Sequence, residues 1–178
     1  YRSVVRAAPI GIGVVVDRVI SQVNERLCQI VGFSMDELIG KNARVLYPTD
    51  EEYEYVGREK YHQILDHGTG QVETCFQRKN GQIIDVLLSS TPLNEDDLSQ
   101  GVTFTALDIS ERKRNEEELQ KSEQRFRKLM DLVPDMISIQ DPEMNIVYSN
   151  WNGFGSVPEA CRQTGGKCYR VYRGRDEM

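Results

Sequence analysis

A long-period internal repeat constrains this chain more than any other feature. Gly40-Lys41-Asn42-Ala43-Arg44-Val45-Leu46-Tyr47-Pro48 returns as Gly166-Lys167-Cys168-Tyr169-Arg170-Val171-Tyr172-Arg173-Gly174, and the same offset of 126 carries Asn24 onto Asn150 and Ile20 onto Ile146. One residue out of phase, APIGIGVVVD at 8–17 lies over VPDMISIQD at 133–141, with Pro9 over Pro134. Solenoid units repeat every 20–50 residues or so, which makes this period two copies of one domain. The second copy, 134–178, carries counterparts of 9–52 only. A two-stranded hairpin alone is marginal in water, so this part is expected to be disordered, paired with another chain, or the remnant of a trimmed longer one.

The 178 residues suffice for a core, and a net charge of −6 with pI near 5.1 gives no footprint for nucleic acid or an anionic membrane. The longest apolar run, IGIGVVV at 10–16, falls far short of the roughly 20 residues of a membrane helix. Cys28, Cys75, Cys161 and Cys168 show no CxxC spacing. Free thiols in apolar patterns behave as small hydrophobes, which fits a reducing, cytoplasmic setting.

Residues 2–8 read as a helix end closed by Pro9. The β-branched run to Val16, an Asp17-Arg18 turn and VISQVN (19–24) form a hairpin. Residues 25–40 are helical, stopped at Gly32 and restarted by a Ser34/Glu37 capping box. Residues 49–68 open with Thr49-Asp50 and close at Gly68, as a helix does, with Tyr53, Val56, Tyr61, Ile64 and Leu65 inward. Strands at 70–81, 82–94 and 100–110 follow, the first two joined by Asn80-Gly81, a strong hairpin signal. The order β-β-α-α-α-β-β-β predicts an α+β fold with helices gathered on one face of an antiparallel sheet. From Asp108 the chain is dense in both charges. Glu117–Lys121 and Glu123–Arg127 sit i,i+4 in the favourable order, predicting a long exposed helix over 109–133. Leu119, Phe126 and Val133 repeat every seven residues with Leu129 offset, a broken seam that suits a solvated connector or a dimer contact.

APIGIGVVVD, Asn24 before a helix, GFSMDELIGKNARVLYPTDEE, ETCFQRKNGQIIDVLLSSTPL and VTFTALDISERK, in this order over about 4–113, resemble the PAS/PAC (S-box) sensor family. The resemblance implies a PAS domain at 1–108 with a five-stranded sheet, a signalling helix at 109–133 and the N-terminal part of a second PAS domain at 134–178. GGKCYRVYRGRDEM is similar to a Cys-containing segment of some bacterial and archaeal sensor kinases. It further implies a sensory and dimerisation module of a histidine kinase, diguanylate cyclase or similar regulator, with the catalytic output in another domain of the protein. A packing change in the module would pass out through Asp108, Ile109, Ser110 and Arg112. Flavin photosensors of this family carry Gly-x-Asn-Cys-Arg-Phe-Leu. Here Ala43 stands at the nucleophile position, and the flavin-bonding positions fall on Phe76, Val86 and Ala106, which offer no side-chain hydrogen bond. Flavin is not expected.

Haem would need a histidine on the long helix, and His62 and His67 are assigned to its surface. Cys161 and Cys168 lack a metal ligand set. No Ser/His/Asp or Cys/His set and no phosphate-cradling loop is present, so catalysis is not expected. The inward positions are Ile12, Val14, Val16, Leu27, Ile30, Leu46, Ile64, Phe76, Val86, Leu88, Phe104 and Ala106. They suit either a filled core or a cavity for a small apolar ligand. Glu73 is expected to pair with Lys41 or Arg44. The expected assembly is a homodimer without nucleic-acid or membrane contact. Three readings stay open: a sensor with an apolar pocket, a ligand-free dimerisation relay, and a haem-loaded sensor.

Overall fold

The computed structural model describes residues 9–94, 97–135, 137–150 and 166–168. Two compact units are present, Tyr1–Glu116 and Glu117–Met178. The expected helix end at 2–8 lies outside the described residues.

The first unit is built on a five-stranded antiparallel sheet in the order β2-β1-β5-β4-β3. Its strands are β1 (Gly11–Val16), β2 (Val19–Val23), β3 (Gly70–Gln77), β4 (Ile83–Pro92) and β5 (Val102–Asp108). Between β2 and β3 run α1 (Glu25–Val31), α2 (Met35–Leu38), a 3-10 turn at Ala43–Leu46 and the long α3 (Asp50–His67). The punctuation is local. Gly32 and Gly68 take left-handed φ of 76° and 74° to end α1 and α3, and Thr49 accepts from the Glu52 N–H at the start of α3. Gly supplies such caps without steric cost.

One face of the sheet is buried under the helices. Ile84, Val86 and Leu88 of β4 and Val102, Phe104 and Ala106 of β5 alternate inward as the period of two dictates. β1 corrects the expectation. Its inward residues are Gly11, Gly13 and Val15, and Ile12, Val14 and Val16 are half-exposed on the other face. The reason is close approach. A Cβ on Gly11 would lie 2.8 Å from Leu27 Cδ1, and one on Gly13 2.5 Å from Phe104 Cζ. Only bare backbone lets α1 and Phe104 sit that near. A second correction is Leu65, which is 73% exposed on α3, whereas Ile64 beside it is buried.

α4 (Ser110–Asp131) continues directly from β5 and buries none of its side chains; the boundary between the units falls inside it. In the second unit β6 (Ser138–Gln140) pairs with β7 (Ile146–Ser149). Phe126 stacks edge-on against Tyr148 at 5.5 Å, so this member of the heptad seam is occupied within its own chain, and Val133 lies past the helix end. Asn24 and Asn150 hold matching posts. Asn24 Oδ1 accepts from the Ile12 N–H at 2.8 Å, and Asn150 Oδ1 from the Ile137 N–H at 2.6 Å. Cys161 lies outside the described residues.

Candidate functional site

A cavity of about 40 Å³ lies between the inner sheet face and α3. Of the expected inward residues, Leu46, Phe76, Leu88 and Phe104 line it. Leu27, Ile30, Ile64, Val86 and Ala106 are buried core away from it. Tyr53, Val56 and Tyr61, expected on the inward side of the long helix, line it too, and the lining residues that sequence reasoning did not place inside are Val15, Arg18, Ala43, Tyr47, Gly57 and Lys60. The apolar floor was legible; the polar rim was not.

That rim is ordered. Asp17 and Arg18 make the β1–β2 turn with φ of 49° and 62°, which sends Arg18 across to α3. Its Nη1 meets Glu54 Oε1 at 2.7 Å and its guanidinium lies 4.8 Å above the Tyr53 ring. A Cβ on Gly57 would stand 2.8 Å from Arg18 Nη2, so the glycine makes room for the crossing. Tyr53 Oη donates to Asn42 Oδ1 at 2.8 Å. Tyr47 is buried between Tyr53 and Phe76, with ring centroids 5.4 and 5.1 Å away; burial raises its pKa. Lys60 completes the rim, and burial, then the nearby Arg18, lowers its pKa to about 8. His62 and His67 are not on it. His62 is exposed and bridges Asp66 at 3.1 Å, and His67 is exposed in the last turn. Among the described residues no group of His, Cys, Asp and Glu is placed to hold a metal.

The exit from β5 is the second part of the site. The Ile109 N–H donates to the Asp85 carbonyl and Ser110 Oγ accepts from the Asp85 N–H, both at 2.9 Å. Asp108 Oδ1 accepts from the Ser110 N–H at 3.0 Å and its other oxygen meets Arg78 at 3.0 Å. Burial works against that carboxylate, but the Ser110 and Arg78 bonds outweigh it and lower its pKa. Ile109 is buried. Glu73 corrects the expected ion pair, because it meets Arg112 at 2.5 Å and Lys113 at 3.3 Å. Glu73 alternates outward on β3, where α4 begins, while Arg44 sits on the helix side and pairs with Asp50. Lys41, exposed, offers Ile20 only its backbone carbonyl. The relay residues Asp108, Ile109, Ser110 and Arg112 therefore come together at one junction, joined by Lys113, which also meets Asp85 at 2.9 Å.

Comparisons with known proteins agree on the fold. A family model described as PAS domain matches residues 9–111. The sensor protein TdiS of Thauera aromatica is 30% identical over 130 residues, covering 73% of this chain and 24% of that protein. The chain thus spans about a quarter of that relative's length. The PAS domain of a LuxR-family transcriptional regulator from Burkholderia thailandensis, solved in complex with ethanol, superposes with a TM-score of 0.58 at 27% identity, covering 62% of this chain and 97% of that one. A PAS domain from Colwellia psychrerythraea gives 0.57 at 18%, covering 62% and 94%.

Proposed function

The chain belongs to the PAS domain family, and on that footing we propose that the cavity under α3 receives a signal and that α4 carries it out. A PAS domain is a sensory module of signalling proteins and is not catalytic by itself. The carrying observation is the junction at Asp108–Lys113, where the start of α4 is bonded to β3 and β4. β4 and β5 supply Leu88, Val102 and Phe104 to the cavity, and β4 begins and β5 ends at that junction. A shift in cavity packing therefore has a short covalent and hydrogen-bonded route into the helix. The output, a histidine kinase or diguanylate cyclase domain, lies elsewhere in a longer cytoplasmic parent, and residues 134–178 are the start of a second PAS copy. No described helix is long and apolar enough to cross a membrane.

The expected ligand is small, in keeping with the ethanol complex of the Burkholderia neighbour. The test is amide hydrogen exchange on the chain with a panel of two- to four-carbon alcohols and acids. A compound that slows exchange at Leu88 and Phe104 is expected to change exchange at Lys113 as well. Protection of the cavity with an unchanged helix contradicts the relay.

A ligand-free relay is the second reading, favoured by Leu119, Leu129 and Leu132, which stand 71%, 58% and 78% exposed. Leu119 and Leu129 belong to the seam expected of a homodimer, and Leu132 extends the exposed apolar set beyond it. A haem-loaded module draws no support from the outward His62 and His67.

A further inference from the structure

We propose that the cavity takes a short-chain carboxylate whose charged end pairs with Lys60. The proposal rests on the cavity being the sensory site. Four walls of the cavity, Leu46, Phe76, Leu88 and Phe104, are apolar and suit a short alkyl tail. Two cations stand at its rim. Arg18 is already committed to Glu54 and the Tyr53 face. Lys60 has no carboxylate within 4 Å among the described residues.

The Lys60 stem is laid across the first residue of β3. A Cβ on Gly70 would stand 2.5 Å from the Lys60 carbonyl oxygen and 2.9 Å from its Cγ. Lys60, half-buried with its Nζ 5.9 Å from the Tyr61 ring centroid, is thus left with a ring face and no counter-ion, and a partly desolvated charge gains from an anion brought beside it. A carboxylate supplies that anion. Size narrows the class further. About 40 Å³ is roughly a quarter of the 150 Å³ or so that admits benzene, which sets the tail at two or three carbons.

The charged and titratable groups around Lys60 are Arg18 from the β1–β2 turn, Tyr47 beyond the 3-10 turn, and Tyr53, Glu54 and Tyr61 on its own helix. The sheet contributes no charge to the cavity. Lys60 holds its proton below about pH 8, so carboxylate affinity is full there and falls as pH rises through that value, by up to about tenfold per pH unit.

Calorimetric titration of the full chain with propionate, propionamide and 1-propanol at pH 7 tests this. Propionate is expected to bind at least about tenfold tighter than propionamide, one decade being about 1.4 kcal/mol. Lys60→Met is expected to erase that preference and keep the 1-propanol affinity; Lys60→Gln repeats the test if the methionine variant does not fold. Propionate binding no tighter than propionamide, or a preference that survives the substitution, overturns the proposal and leaves the sensory cavity standing. Failure of all three compounds to bind overturns both.

Discussion

Phe76→Ala is expected to lower the stability of the first unit by about 3–5 kcal/mol, the range for removing a buried aromatic. Phe76 is 1% exposed, packs edge-on against Tyr47 at 5.1 Å, and forms part of the cavity floor. The loss combines transfer of the ring to water with the new void, because β3 and α3 are fixed by their own hydrogen bonds and collapse only partly. A small domain holds about 5–15 kcal/mol in total. Urea denaturation should therefore show roughly a fifth or more of it gone, with a melting temperature lower by more than about 12 °C. Leu65→Ala is the control. Leu65 is exposed, and its truncation should stay within about 0.5 kcal/mol. Equal losses from the two substitutions would mean that the inward face of α3 is assigned wrongly.

Asn24→Ala is expected to cost about 2–4 kcal/mol. Its side chain is buried and works in both directions. Oδ1 accepts from the Leu27 N–H at 2.9 Å as the cap of α1 and from the Ile12 N–H at 2.8 Å, while Nδ2 donates to the Ile10 carbonyl at 3.0 Å. The lost cap accounts for about 0.5–2 kcal/mol, and backbone groups left without a partner for about 1–3 more. Asn24→Asp keeps the two acceptor bonds and loses the donor, so its midpoint in urea should fall between wild type and alanine. An aspartate as damaging as alanine would mean that the Ile10 bond, not the cap, carries the effect.

The hairpins, the helix caps, the order of elements and the long helix after Asp108 were all legible, because each rests on local chemistry such as Thr49, Gly68 or Asn80-Gly81. The face of β1 was not. Hydrophobicity placed Ile12 and Val14 inward, whereas alternate glycines at 11 and 13 were the true mark of the packed face, since a glycine in a strand signals something close above it. Lys60 escaped because a charged residue on an amphipathic helix is read as solvated; that it is half-buried goes with its stem lying against Gly70 at the start of β3. The partners of Glu73 were open to reading. Its phase on β3, opposite to Val72 and Phe76, already placed it on the outer face. What no local pattern could give was that α4 starts on that face, which is a property of the assembled sheet.

Native-state hydrogen exchange as a function of denaturant asks most directly whether the packed sheet and the outgoing helix behave as one body. If α4 is anchored at the junction, the amides of Ile109, bonded to the Asp85 carbonyl, and Lys113, bonded to Ile109, open with the same free energy as Val86 and Phe104. Near-unprotected exchange at Ile109 and Lys113 beside a protected sheet would contradict an anchored helix and the signalling route through it.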